Sequence, residues 1–193
     1  MTKKELYTNI YPISDQAFYK EIISHTEIKK FKKNTVFLKQ EESDNSIYFL
    51  KSGVVIASEI YPSGKKICLG IYDKPGDILV GGLGPNNLYS PVNMEAKTIC
   101  EVFAIPMEDI QRYLTEYPET VFFYNKIMTA EYEKQWQIKN MLYLDSAEDR
   151  YRWFLENYPG TIDKINHEII ASFLHMSPVT LSRVRRKIEE DIV

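Results

Sequence analysis

Residues 165–188 read Ile165-Asn-His-Glu-Ile-Ile-Ala-Ser-Phe-Leu-His-Met-Ser-Pro-Val-Thr-Leu-Ser-Arg-Val-Arg-Arg-Lys-Ile188. The pattern predicts two short helices joined by a tight turn. Asn166 is placed to cap the first helix. Ser177 is placed to cap the second, with Pro178 at the first helical position, where a missing N–H costs nothing. Ile170, Leu174, Leu181, Val184 and Ile188 recur at helical spacing and predict one small shared core. Ala171 falls where the two helices would cross, and only a small side chain fits such a crossing. His175 occupies the turn, and histidine tolerates a positive φ better than most residues.

The outer face of the second helix then carries Ser177, Val179, Thr180, Ser182, Arg183, Arg186 and Lys187. Short polar groups, an exposed methyl-bearing side chain and a reaching arginine suit the major groove of double-stranded DNA. Arg183 can pair bidentately with guanine O6 and N7, whereas Val179 offers only an apolar contact to a thymine methyl. Arg186 and Lys187 suit the phosphate backbone. Arg185 is expected to turn inward or toward Glu189. Residues 165–188 hold four basic side chains against one acid, whereas the whole 193-residue chain has a formal net charge of −3. A basic footprint is therefore local, and a solvated helix face is the plainer reading of any single charge.

The rest of the chain has room for a substantial core, with 44% hydrophobic and 13% aromatic residues. Residues 3–25 read as helix interrupted near Pro12. From about residue 27 to 105 the texture changes to short strands: Thr35–Leu38, Ile47–Leu50, Val54–Ala57, Ile67–Tyr72 and Ile99–Ile105. Ser52-Gly53, Pro62-Ser-Gly64 and Pro75-Gly76-Asp77 supply turn chemistry between them. Many short strands at regular spacing predict a β-sandwich or jelly roll. Met107–Tyr117 reads as a short helix. Residues 119–140 then run without Gly or Pro. Val121, Tyr124, Met128, Tyr132, Ile138 and Leu142 give this long helix an apolar stripe, which a second copy could bury. The alternative is packing on its own domain, since such stripes are usually plain core. Ser146 and Asp149 approximate a capping box for the next helix, over 150–158, which Pro159-Gly160 ends.

Several function classes are disfavoured. The two cysteines, Cys68 and Cys100, make neither a disulfide framework nor a zinc or iron–sulfur set. No metal ligand set and no catalytic acid/base constellation can be located. The amino-terminal Met1-Thr-Lys-Lys-Glu-Leu-Tyr has no apolar signal core, and no run approaches the roughly 18 apolar residues of a membrane span. A cytoplasmic location and no membrane partner are expected.

In this order, a β-roll, a long helix and a terminal helix pair resemble the Crp/Fnr family of bacterial transcription regulators. Tyr48-Phe-Leu-Lys-Ser-Gly53-Val-Val is similar to the family's Tyr-x-Leu-x-x-Gly-x-Val strand pair, Pro75-Gly76-Asp77-Ile78 to its Gly-Asp turn, and Ala96-Lys-Thr-Ile-Cys-Glu-Val102 to its late strand. Ser177-Pro-Val-Thr-Leu-Ser-Arg183 resembles its Ser-x-x-Thr-x-x-Arg recognition helix. The resemblance implies an α+β chain with three parts. Residues 1–118 would form a cupin-like sensor roll with flanking helices, 119–143 a dimerisation helix, and 144–193 a helix-turn-helix DNA-binding domain. It also implies a homodimer on a near-palindromic operator, with half-sites about 34 Å apart, and RNA polymerase as a further partner.

Three departures modify that expectation. Cyclic-nucleotide binders of the family carry Gly-Glu after the Gly-Asp turn and Arg-Ser or Arg-Thr before the late strand. The aligned pairs here are Val80-Gly81 and Ser90-Pro91, so cyclic AMP is not expected and no cofactor is implied. An effector pocket would lie near Val80, Gly81, Gly82, Ser90 and Val92, and the glycines at 81–84 could offer N–H groups to an anion. The cysteine cluster of the oxygen-sensing branch is absent, and His25, His167 and His175 all lie off the roll strands, against a metalloenzyme of cupin type. Finally, the chain runs only five residues past Ile188, so little or no wing is expected, and the acids at 189–191 suggest a frayed end. A ligand-binding or interaction module of cupin-like fold that does not bind DNA is the alternative reading.

Overall fold

Strand β3 (Ser46–Ser52) shows how the sequence builds the molecule. Its side chains alternate between two cores. Tyr48 and Leu50 face one, shared with Val55, Met94 and Val102. Ile47 and Phe49 face another, shared with helical Phe18, Tyr113 and Phe123. A strand covered on both faces reads as a continuous apolar run, which is why Ile47-Tyr-Phe-Leu shows no alternation in polarity.

The structure is a computed structural model and describes residues 1–43, 46–79 and 89–190. Strands β1 (Glu27–Phe31), β2 (Val36–Leu38), β4 (Val55–Ile60), β5 (Lys66–Tyr72), β6 (Ile78–Leu79), β7 (Asn93–Ala96) and β8 (Cys100–Pro106) complete the roll with β3. They pair antiparallel in two four-stranded sheets, ordered β1-β8-β3-β6 and β2-β7-β4-β5. This is the predicted sandwich. Strands β1, β6 and β7 were not singled out in the sequence. β1 is polar, and β6 has only two residues.

Two glycines make the turns possible. Gly53 joins β3 to β4 at φ +104°, and a Cβ there would lie 2.6 Å from Cys100 Sγ. Gly76 has φ +95°, and a Cβ there would lie 2.6 Å from Ile10 Cδ1. Other residues would be strained at both positions.

The amino-terminal segment covers the outside of the first sheet. Helix α1 (Lys3–Glu5) runs into a π-helical turn at Leu6–Ile10, and α2 (Gln16–His25) follows. The helix therefore breaks on both sides of Pro12, and Asp15 restarts it by accepting from the N–H groups of Ala17 and Phe18. Helix α3 (Met107–Glu116) leads to the long α4 (Glu119–Leu142). Glu119 accepts from the backbone N–H groups of Ser14 (2.7 Å) and Asp15 (2.5 Å), tying the start of α4 to the amino-terminal segment.

The carboxy-terminal part comprises α5 (Ala147–Asn157), α6 (His167–Phe173) and α7 (Pro178–Glu190). Ser146 caps α5 by accepting from Asp149 N–H at 3.0 Å. The return half of the expected box differs: Asp149 Oδ2 accepts from the Ser146 hydroxyl at 2.6 Å, because a carboxylate one methylene shorter than Glu stops there. The core of these helices continues into the roll. Val54, Ile56, Cys68 and Ile71 form one apolar cluster with Ile138, Phe154, Ile170 and Leu174. Each fully buried isoleucine or leucine in it contributes about 1.5–3 kcal/mol. Two hydrogen bonds mark the junction: Cys68 N–H donates to Ser172 Oγ at 3.0 Å, and Thr161 Oγ1 donates to Asp73 Oδ2 at 2.6 Å.

Candidate nucleic-acid interface

Asn166 Oδ1 accepts from Ile169 N–H at 3.0 Å, so the predicted cap of α6 forms. Ser177 Oγ accepts from Thr180 N–H at 3.0 Å and sits 2.8 Å from Thr180 Oγ1, with Pro178 starting α7. His175 adopts φ +52° in the turn between them. Ala171, Ile170, Leu174, Leu181 and Ile188 are buried, and Val184 packs partly buried against them. Replacing Asn166 with alanine removes one orphan N–H partner and is expected to cost about 1 kcal/mol of stability. Thermal denaturation checks this, and an unchanged midpoint would mean that another group satisfies Ile169 N–H.

Arg150 locks the turn from below. Its Nε donates to Leu174 O at 3.0 Å and a terminal nitrogen donates to Leu144 O at 3.1 Å. The end of α4, the start of α5 and the helix-turn-helix turn are thereby joined through one guanidinium. Sequence reasoning missed this role, since a single arginine on a helix gives no sign of which distant carbonyls it will meet.

The predicted reading face is exposed. Ser177, Val179, Ser182, Arg183, Arg186 and Lys187 face solvent, and Thr180 is half-buried. Val179, Arg183 and Arg186 lie one helical turn apart along one side of α7. Arg183 has no hydrogen bond or ion pair among the described residues. Its neighbours differ. Lys187 Nζ lies 2.6 Å from Glu148 Oε2, and this ammonium with Arg152 holds the Glu148 carboxyl below its usual range. Arg186 stands 3.8 Å from Glu190. Arg185 contacts the His167 ring and lies 3.5 Å from Glu189, the second of the two settings expected for it. Such exposed pairs are worth little, so phosphates can compete for these cations. The helix continues to Glu190, while the acid at 191 lies outside the described residues.

The stripe on α4 divides between two faces. Val121, Tyr132 and Leu142 are exposed, and Tyr124 and Met128 are half-buried against the roll side. Ile138 is placed otherwise. It is 6% exposed and packs in the core shared with α5 and α6, so it cannot serve a dimer seam. Other exposed apolar side chains of this helix and its end are Phe122 (75% exposed), Trp136 (50%) and Tyr143 (76%), at positions repeating in heptad steps. The rings of Tyr132 and Trp136 stack 6.4 Å apart. Their spacing is visible in the sequence, but periodicity alone does not tell which side of a helix the rest of the chain covers.

Comparison with known proteins bears on the whole arrangement. Residues 28–117 match the model of the cyclic nucleotide-binding domain family. FixK2 from Bradyrhizobium japonicum superposes with a TM-score of 0.74 at 14% identity, over 86% of this chain and 85% of that one. CLP from Xanthomonas campestris, a c-di-GMP responsive global regulator, gives 0.71 at 16% identity, over 92% and 93%. A CRP-family transcriptional regulator from Thermus thermophilus, TTHB099, gives 0.68 at 19% identity, over 84% and 85%. The chain has the Crp/Fnr fold. No curated protein matches its sequence.

On the Crp/Fnr fold, the roll faces α4 across a cavity of about 540 Å³. Of the predicted effector residues, Val92 lines this cavity. Ser90 does not: its hydroxyl is buried and donates to Val92 O at 2.6 Å. Val80, Gly81 and Gly82 lie outside the described residues, as does the glycine cluster at 81–84. Tyr72, Met94, Met128, Glu131 and Tyr132 contribute further walls. Glu131 is nearly fully buried, and burial raises its carboxyl above the usual range. Tyr72 Oη donates to Glu131 Oε1 at 3.0 Å, and Gln135 Nε2 donates to the same oxygen at 2.7 Å. Among the described residues, no helix of this Crp/Fnr-fold chain is long and apolar enough to cross a membrane.

Proposed function

We propose that this chain is a transcription regulator that binds a near-palindromic DNA site as a homodimer, with a sensing function in the roll. The observation that carries the reading is the outer face of α7. A capped helix presents Arg183, exposed and without an internal partner among the described residues, beside Val179, Ser182 and Arg186. A helix of this composition supplies both direct base contacts and phosphate contacts. The second support is the exposed aromatic seam of α4, which would place two such helices about a two-fold axis. RNA polymerase enters this reading only through the resemblance of the sequence to the family.

Gel shifts with genomic fragments at low and raised salt test the reading. Bound fragments are expected, with log affinity falling linearly in log salt by about 0.9 for each phosphate neutralised. Affinity independent of salt, or no bound fragment, would favour a ligand-binding or interaction module whose terminal helices only complete the fold.

A further inference from the structure

The hairpin between β4 and β5 stands beside the start of α7. Gly64 makes its tip possible at φ +80°, with Tyr61 N–H donating to Lys65 O at 3.0 Å and Gly64 N–H donating to Tyr61 O at 2.8 Å. Strand β5 then packs against α6, where Cys68 N–H meets Ser172 Oγ. The hairpin is thereby held against the helix pair, and a groove forms between them. Lys65, Lys66 and Ile67 line one wall, and His175, Met176 and Ser177 the other.

Ser177 joins this groove to the reading face, since it also caps α7. A helix that enters the major groove has a sugar–phosphate strand running past its first residues, and the helix before it crosses the same backbone. The groove therefore lies where flanking phosphates pass. Its charge suits them. Lys65 is exposed, and its ammonium has no hydrogen bond or ion pair among the described residues. Lys66 is also exposed and shares the Glu95 carboxylate with Lys97, at 2.8 and 2.7 Å, so one acid stands between two ammonium groups. Against the two lysines, the described lining holds one acid, Glu168. The groove is thus net positive in a chain whose formal charge is −3.

We propose that the β4–β5 hairpin is a second DNA-contacting element, with Lys65 and Lys66 on the phosphates that flank each half-site read by α7. The proposal rests on α7 being the reading helix and adds the roll itself to the bound surface. Phosphate contacts fix register and carry no base information, so the hairpin lengthens the footprint and leaves base preference to Arg183. Lysine suits that task, because a flexible stem ends in a point charge that meets any phosphate oxygen.

The test uses the full chain and a duplex that it selects from a random pool, with affinity measured at several salt concentrations. Lys65→Ala is expected to lower the salt slope by about 1.8, one phosphate lost in each half of the dimer. Its deficit at 50 mM salt then exceeds that at 200 mM by about tenfold, with base preference unchanged. Replacing flanking phosphates one at a time with neutral methylphosphonates locates the contact. At the contacted positions the unmodified chain should lose about threefold in affinity, and Lys65→Ala should lose almost none. If no flanking methylphosphonate weakens the unmodified chain, the proposal fails whatever the variant does. An unchanged slope in a folded Lys65→Ala, or a changed base preference, would also overturn it. Those outcomes leave the reading of α7 standing, whereas failure of the unmodified chain to select any duplex removes both.

Discussion

Phe122→Asp combined with Trp136→Asp is expected to leave a folded monomer whose affinity for a two-half-site operator is lower by at least about 100-fold, or about 2.7 kcal/mol. Both side chains project from α4 into solvent, so the substitutions remove little from the chain's own core. Surface changes of this kind usually move monomer stability by less than about 0.5 kcal/mol. In a symmetric dimer each ring is lost twice. Each contributes about 1–2 kcal/mol of apolar burial for the area it exposes here, and the aspartates add the cost of burying unpaired charge. Sedimentation equilibrium of the double variant measures the first effect and fluorescence anisotropy with an operator duplex the second. A double variant that still sediments as a dimer would place the seam on some other surface. Ile138→Ala separates the two faces of α4. It should destabilise the fold by about 2–5 kcal/mol without selectively weakening self-association, because Ile138 packs inward.

Arg183→Ala is expected to relax base preference at one position in each half-site by about 1–3 kcal/mol, roughly 5- to 150-fold, while the dimer and the helix pair stay folded. The fold should be indifferent because Arg183 makes no internal bond among the described residues. Lys187→Ala gives the contrast. Its ammonium leaves Glu148 to meet a phosphate, so its loss should weaken binding evenly across sequences and reduce the salt dependence. Selection of bound duplexes from a random pool reads the first effect, and affinity against salt reads the second. Unchanged preference after Arg183→Ala would show that α7 docks by a different side.

Much of the site was legible in the sequence because its determinants are local. Asn166 and Ser177 cap the helices that follow them within three residues, and His175 takes its positive φ within a four-residue turn. The shared core of α6 and α7 repeats at helical spacing. The roll was legible through its turns, less so through its strands: polar β1 and two-residue β6 carry too few apolar side chains to announce themselves. The walls of the cavity between the roll and α4 were the least legible. The family motif points at Ser90, whose hydroxyl donates to Val92 O, while Glu131 interrupts the apolar stripe of a helix and gives no sign of its burial.

The sequence by itself determined the terminal helix pair, its caps, the exposed arginine face of α7 and the local basic charge, since each follows from interactions between residues a few positions apart. Only the tertiary structure decided which side of α4 is covered, that Glu131 is buried beside Tyr72, that Arg150 bolts the turn to two helices, and that the terminal helices share a core with Ile56 and Cys68 of the roll. Those contacts join residues far apart in the chain, such as Cys68 and Ser172. Such pairs leave no period in the chain. They exist because two apolar faces lower their free energy by excluding water from one another.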